Sequence, residues 1–316
     1  MNMLHPLRTL CLVFCFCSAV LMAQESSFSF DQLEYPFDTR LTTLSDGLKL
    51  ASIESGKGKQ TLVFIHGLGS YAKAWQPNMA ELQAKYRCIA LDLPGYGKSD
   101  KPAEQTYDLP YYVAQIADFI RIRKLKQVVL VGHSMGGQIA MLTALTHPDL
   151  VRRLVLVAPA GLELFNDNEA QMLTGFTKPE AIAATSDEQI LENLKLNFVT
   201  LPEAAKYMHQ DRVKMKQASD FAQYAKAVSD NVRGMLEAPV YERLGELKQP
   251  TLLLFGKQDR LIPNAFLHPN LTTEQVAQEG AKRIPNATLT LIDEAGHFVG
   301  FEKATAVNQA IQAFLK

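Results

Sequence analysis

The chain has 316 residues, 47% of them hydrophobic, which is enough to fill a substantial core and too apolar for a disordered chain. With 32 basic and 33 acidic side chains its formal charge is −1. Bulk electrostatics therefore draws it to neither nucleic acid nor an anionic membrane, and a small-molecule substrate of neutral or weakly polar character fits better.

The start has the pattern of an export signal. His5 and Arg8 precede an almost wholly apolar stretch from Leu10 to Met22, and Ala23 stands before the polar Gln24 and Glu25. Cleavage after Ala23 is the expectation, with the mature chain periplasmic or secreted. The stretch is shorter than the roughly 20 residues that cross a bilayer, so no stable membrane span is expected after cleavage, an uncleaved anchor being the alternative. Three of the four cysteines, Cys11, Cys15 and Cys17, fall in this leader; Cys88 alone remains, so no intramolecular disulfide can form. Phe14 and Phe16 precede Cys15 and Cys17 where lipid attachment wants small residues.

Thr39 to Leu44 and Leu48 to Ile53 read as strands of an edge hairpin around Ser45-Asp46-Gly47. An alternation follows: strand 61–65, helix 72–85, strand 87–91, helix 109–122, strand 128–131, helix 135–146 stopped by Pro148, and strand 154–157. The continuous apolar runs mark strands buried on both faces, and helices between them demand a mostly parallel sheet covered on both sides. Strands at 251–255 and 288–292 and a final helix at 303–314 complete an α/β core.

From Pro159 to Pro250 the strand signal vanishes and apolar residues recur at helical spacing, as in Phe221, Tyr224, Val228 and Val232. A stretch that long is no loop. The reading is a first core segment at 24–158, a helical cap at 159–249 that could equally offer a homodimer surface, and a second core segment at 250–316.

The strongest local signal is Gly132-His133-Ser134-Met135-Gly136-Gly137, a Gly-x-Ser-x-Gly turn between a buried strand and a helix. Such a turn exposes a serine hydroxyl, and its glycines are needed because strand and helix approach too closely for a Cβ. Ser134 also starts a helix, so the Met135 N–H faces any developing oxyanion. An unreactive glycine-rich turn is the bland alternative.

With this turn go Phe64-Ile65-His66-Gly67-Leu68-Gly69, Asp92-Leu93-Pro94-Gly95-Tyr96-Gly97-Lys98-Ser99, Phe255-Gly256-Lys257-Gln258-Asp259 and Ala295-Gly296-His297-Phe298. On these blocks the chain resembles the α/β-hydrolase superfamily from about residue 40 to 316, the cap apart. The resemblance implies an α/β-hydrolase fold, a second oxyanion donor at the Leu68 N–H, a structural role for His66, and a triad in the order Ser134, Asp259, His297. Serine is a poor nucleophile until an imidazole takes its proton and a carboxylate fixes that imidazole. Asp259 is favoured as the acid by motif and because the end of the preceding strand, Val157-Ala158-Pro159, offers no carboxylate; Asp230 and Asp293 are its rivals.

The expected activity is hydrolysis of a small to medium carboxylic ester. Leu68, Trp75, Phe165, Phe176 and Met235 are the expected pocket lining. No cofactor and no metal are expected, for lack of a recognisable ligand set. A serine at the elbow excludes relatives that need an aspartate nucleophile. Carbon–carbon bond hydrolases of the meta-cleavage-product type share the Gly-x-Ser-Met-Gly-Gly turn but usually follow their histidine with Trp where this chain has Phe298. Proline iminopeptidases and perhydrolases share the same frame, and a non-catalytic ligand-binding relative is the alternative of another class.

Overall fold

The computed structural model describes residues 28–316; the export signal expected at 1–23, with its three cysteines, lies outside the described residues. Eight strands form one sheet: β1 (Asp38–Thr43), β2 (Lys49–Ser55), β3 (Thr61–Ile65), β4 (Arg87–Leu91), β5 (Val128–His133), β6 (Arg153–Val157), β7 (Thr251–Gly256) and β8 (Ala287–Ile292). Their spatial order is β1-β2-β4-β3-β5-β6-β7-β8. β1 and β2 make the expected edge hairpin and β2 meets β4 antiparallel, while every pair from β4 to β8 is parallel.

The helices are α1 (Gln76–Leu82), α2 (Leu109–Ile122), α3 (Met135–Thr146), α4 (Asp167–Phe176), α5 (Pro179–Ala184), α6 (Asp187–Lys195), α7 (Lys206–Met215), α8 (Phe221–Glu237), α9 (Thr273–Arg283), α10 (Val299–Glu302) and α11 (Ala304–Phe314). Strand alternation sorts the core into two layers. Val63, Ile65, Leu130 and Leu156 face α2 and α3, whereas Leu62, Phe64, Val129 and Val155 face α1 and α11.

Three elements depart from the sequence reading. The helix expected over 72–85 is a 3₁₀ turn at Ala72–Trp75 followed by α1. Pro77 explains the break, because a residue without an N–H fits only the first turn of a helix. A one-turn helix that was not expected, α10, precedes the final helix, and α11 itself keeps the expected bounds. Helix α9 fills the stretch between the strands at 251–255 and 288–292, to which no element was assigned; its capping box, Thr272 with Gln275, was the sequence signal for it.

Residues 159–249 contribute no strand among the described residues, and α4 to α8 all lie between β6 and β7. α4, α5 and α6 carry no buried residue, while α8 buries Phe221, Tyr224, Val228 and Asn231 against the sheet layer. Asn231 fastens α8 there: it accepts from the Tyr96 hydroxyl at 2.6 Å and donates to the Tyr107 carbonyl at 2.6 Å. Among the described residues no helix is long and apolar enough to cross a membrane.

Candidate active site

The chemistry-bearing residues gather where parallel strands end. Leu68 follows β3, Ser134 follows β5 directly, Asp259 follows β7 and His297 follows β8. Carboxyl ends of parallel strands are where open α/β sheets bind ligands, because neighbouring connections diverge there and leave a crevice.

Ser134 stands at φ 53° and ψ −122°, outside the regions that side-chain-bearing residues favour. Three donors fix its carbonyl: Gly137 N at 2.8 Å, Ala160 N at 3.0 Å and Gln138 N at 3.3 Å. The glycines are required by close approach. A Cβ on Gly132 would sit 2.3 Å from the Gly136 carbonyl, and one on Gly136 would sit 2.3 Å from that of Ile65. Among the described residues the N–H groups of Leu68 and Met135 donate to no backbone acceptor, Met135 being the first residue of α3.

Asp259 is buried. Its Oδ1 accepts from the N–H groups of Leu261 at 2.8 Å and Ile262 at 3.0 Å, and its Oδ2 lies 2.8 Å from His297 Nδ1. The rivals are engaged elsewhere: Asp230 pairs with Lys226 and Arg233, and Asp293 with Lys257 on the surface. Three groups hold the His297 loop. The Gly296 N–H donates to Glu302 at 2.8 Å, the Phe298 N–H donates to Asn197 at 2.9 Å, and His133 Nε2 is 3.0 Å from the His297 carbonyl. Burial pushes the His133 imidazole well below its ordinary pKa, so it meets that carbonyl as a neutral Nε2–H donor. The His133 and His297 rings lie 4.7 Å apart, which sets the imidazole beside the residue that precedes Ser134.

His66 and Asp92 shape loops. His66 Nε2 accepts from the Leu93 N–H at 3.1 Å, and burial pushes its pKa down to about 4. Asp92, also fully buried, accepts from the Tyr35 hydroxyl at 2.6 Å and from Ala72 N and Lys98 N at 2.8 Å. Burial raises the Asp92 carboxyl above its usual range against the pull of those donors.

A cavity of about 320 Å³ lies between this sheet edge and the inserted helices. Leu68 and Phe298 bound it on the sheet side; Ile190, Met208, Phe221 and Val228 bound it on the other. Of the expected lining residues only Leu68 is there. Trp75 is 3% exposed and packs on Phe64 in the layer formed with α1, because the 3₁₀ turn carries it under the sheet. Phe165 stacks on His268, Met235 packs against the main core, and Phe176 is 74% exposed at the end of α4. Sequence order misled here, since the inserted side chains that line the cavity come from α5 through α8, and Met235 lies on a part of α8 that packs on the main core instead. A larger surface hollow, about 590 Å³, lies around His268 and Glu163 and includes none of the strand-end residues above.

The family model described as alpha/beta hydrolase fold matches residues 60–304. A dihydrolipoyllysine-residue acetyltransferase component of the acetoin cleaving system from Pseudomonas putida is 32% identical over 83% of this chain, which spans 65% of that relative's length. A 2-hydroxy-6-oxononadienedioate/2-hydroxy-6-oxononatrienedioate hydrolase from Cupriavidus pinatubonensis is 27% identical over 88% of this chain and 95% of its own. Among solved structures, a probable hydrolytic enzyme from Pseudomonas aeruginosa superposes with a TM-score of 0.81 at 27% identity, covering 90% of this chain and 96% of the other.

Proposed function

The chain belongs to the alpha/beta hydrolase fold family, and from that premise we propose that it hydrolyses a small to medium carboxylic ester through an acyl-enzyme on Ser134. The observation that carries the reading is the 2.8 Å contact between His297 Nδ1 and Asp259 Oδ2, on a loop that His133 ties to the strained serine turn. Each part then has a task. His297 takes the Ser134 proton as the hydroxyl attacks the ester carbonyl, and Asp259 keeps the ring in the needed tautomer and stabilises its cation. The N–H groups of Leu68 and Met135 receive the oxyanion, Met135 with the added field of the α3 N-terminus. The alcohol departs with the proton from His297. Water, deprotonated by the same ring, then frees the acid. The helices of 159–249 act as a cap that excludes bulk water from the cavity.

The test is a panel of p-nitrophenyl esters of rising chain length, run on purified protein beside a vinylogous dienone acid. Ser134→Ala should cut ester turnover by on the order of 10⁴ or more. Wild-type turnover in that variant would rule out the assignment. Similarity to the Cupriavidus hydrolase favours a second reading, carbon–carbon bond cleavage at the same residues, and turnover of the dienone without the esters would select it. Covalent labelling of Ser134 by a fluorophosphonate separates either enzyme from a binding-only relative. The leader at 1–23 supports export, which fractionation of expressing cells would check.

A further inference from the structure

Behind β3 the chain makes a tight turn in which the Ser70 N–H reaches the Gly67 carbonyl at 3.2 Å. Its third residue, Gly69, has φ +69°, the left-handed setting that such a turn asks of a glycine. The Gly69 carbonyl is taken by two donors from the inserted helices: Nη2 of Arg212 on α7, and the Tyr224 hydroxyl on α8 at 3.2 Å. The same helices grip the next residues. Asp211 accepts from the Tyr71 hydroxyl at 2.6 Å and from Lys73 Nζ at 3.3 Å, and the Tyr207 hydroxyl donates to the Lys73 carbonyl at 3.2 Å.

Arg212 is placed unusually for a packing residue. Its guanidinium lies 4.6 Å from the centre of the Tyr224 ring and borders the cavity, while its neighbour Asp211 is committed to Tyr71 and Lys73. Its Nε is buried with no hydrogen-bond partner among the described residues. A sequestered cation is costly unless something compensates it, and among the described residues its one acceptor is the Gly69 carbonyl.

We infer that Arg212, helped by Tyr224, is a positioning residue that fixes the Gly67–Ser70 turn, so that docking of α7 and α8 holds the Leu68 N–H in aim. Peptide planes rotate as rigid units, and glycine at a positive φ is the loosest joint in the turn. Two donors on one carbonyl remove that freedom. The inference rests on the ester-hydrolase reading, in which Leu68 N–H is an oxyanion donor; a misaimed donor weakens the transition state and leaves ground-state binding nearly untouched.

The experiment compares Arg212→Met, Arg212→Lys and Tyr224→Phe on neutral p-nitrophenyl acetate and on the anionic p-nitrophenyl hemisuccinate. Arg212→Met should lower kcat on both esters by about ten- to a hundredfold. KM should stay within about threefold of wild type, because only a transition-state contact is disturbed. Lysine should restore part of kcat, and Tyr224→Phe should lower it in the same sense by a smaller factor. A wild-type kcat in Arg212→Met overturns the inference. So does a loss confined to the KM of the hemisuccinate, which would make Arg212 a reader of substrate charge. Should Arg212→Met fail to fold, the other two variants decide by the same split. Failure of Ser134 to label with fluorophosphonate in the wild type sinks the hydrolase reading itself, whereas normal labelling with an unchanged Arg212→Met kcat sinks only the positioning role.

Discussion

Ser134 is held at a positive φ by carbonyl contacts on one side and glycine clearances on the other, so the setting of its hydroxyl is a product of backbone geometry before any base is considered. Asp259 is the residue most exposed to a one-atom test. Asparagine keeps its shape but can turn an NH₂ toward His297, favouring the wrong tautomer, so Asp259→Asn should lower kcat by about 10⁴ with little change in the folded state, read by steady-state kinetics beside circular dichroism. His66 makes an acid-side prediction. Its pKa falls from 6.5 to about 4 on folding, so the folded protein refuses a proton that the unfolded chain accepts. The stability it protects is complete above pH 6.5 and is lost as pH falls toward 4, by an amount on the order of 3 kcal/mol at the acid end. Urea unfolding followed between pH 7 and pH 4 should show this loss, and His66→Gln should flatten the slope while lowering stability at neutral pH.

Helix α8 shows how a single element joins the insert to the sheet layer. Its apolar stripe was legible from spacing, but the polar anchor within it was not: Asn231 bridges Tyr96 and Tyr107 in full burial. Asn231→Leu strands a tyrosine hydroxyl and a carbonyl away from water, which should destabilise the protein by about 3 kcal/mol in a urea titration. Helix α4 is tethered differently. Glu169 on α4 and Glu163 just before it both meet His268, whose pKa burial lowers but the Glu163 hydrogen bond and the two carboxylate charges raise above its ordinary value. A raised histidine stabilises below its unfolded pKa and releases that stability as pH climbs through the folded one. Amide exchange in α4 should therefore quicken as pH passes the neutral range, beyond the intrinsic trend, and His268→Ala should remove the excess. Equal profiles in the two proteins would refute the tether.

At the scale of the whole molecule, the proposed ester hydrolysis takes the cavity bordered by Leu68 and Phe298 as the place for the acyl group. About 320 Å³ bounded mostly by aliphatic and aromatic side chains suits a compact acyl group and leaves little room for a long one. Across the ester panel kcat/KM should rise from acetate into medium chains and fall steeply by palmitate; a maximum at palmitate would mean the cap opens far wider than this arrangement. Replacing Phe221 or Val228 by alanine enlarges the cavity and should move the optimum toward longer chains.

The sequence by itself determined the sheet, its parallel character and the strand-end loops, because buried strands need continuous apolar runs and tight turns need glycine at fixed places. It also put Ser134 forward through the Gly-x-Ser-x-Gly turn, and Asp259 and His297 through the family resemblance that the strand-end blocks carry. It did not determine which side chains of 159–249 face the sheet. Helical spacing gives a stripe but not the rotation and depth at which the inserted helices dock, so Phe165, Phe176 and Met235 were plausible in sequence while Met208, Arg212, Phe221 and Val228 line the cavity; Trp75 is displaced for another reason, the 3₁₀ turn that carries it under the sheet. The grip of Arg212 and Tyr224 on Gly69 joins residues more than 140 positions apart, and no local pattern encodes such a contact. Only the packing of the insert against the β3 loop decided it, because a hydrogen bond to a turn carbonyl requires the tertiary approach that brings donor and acceptor together.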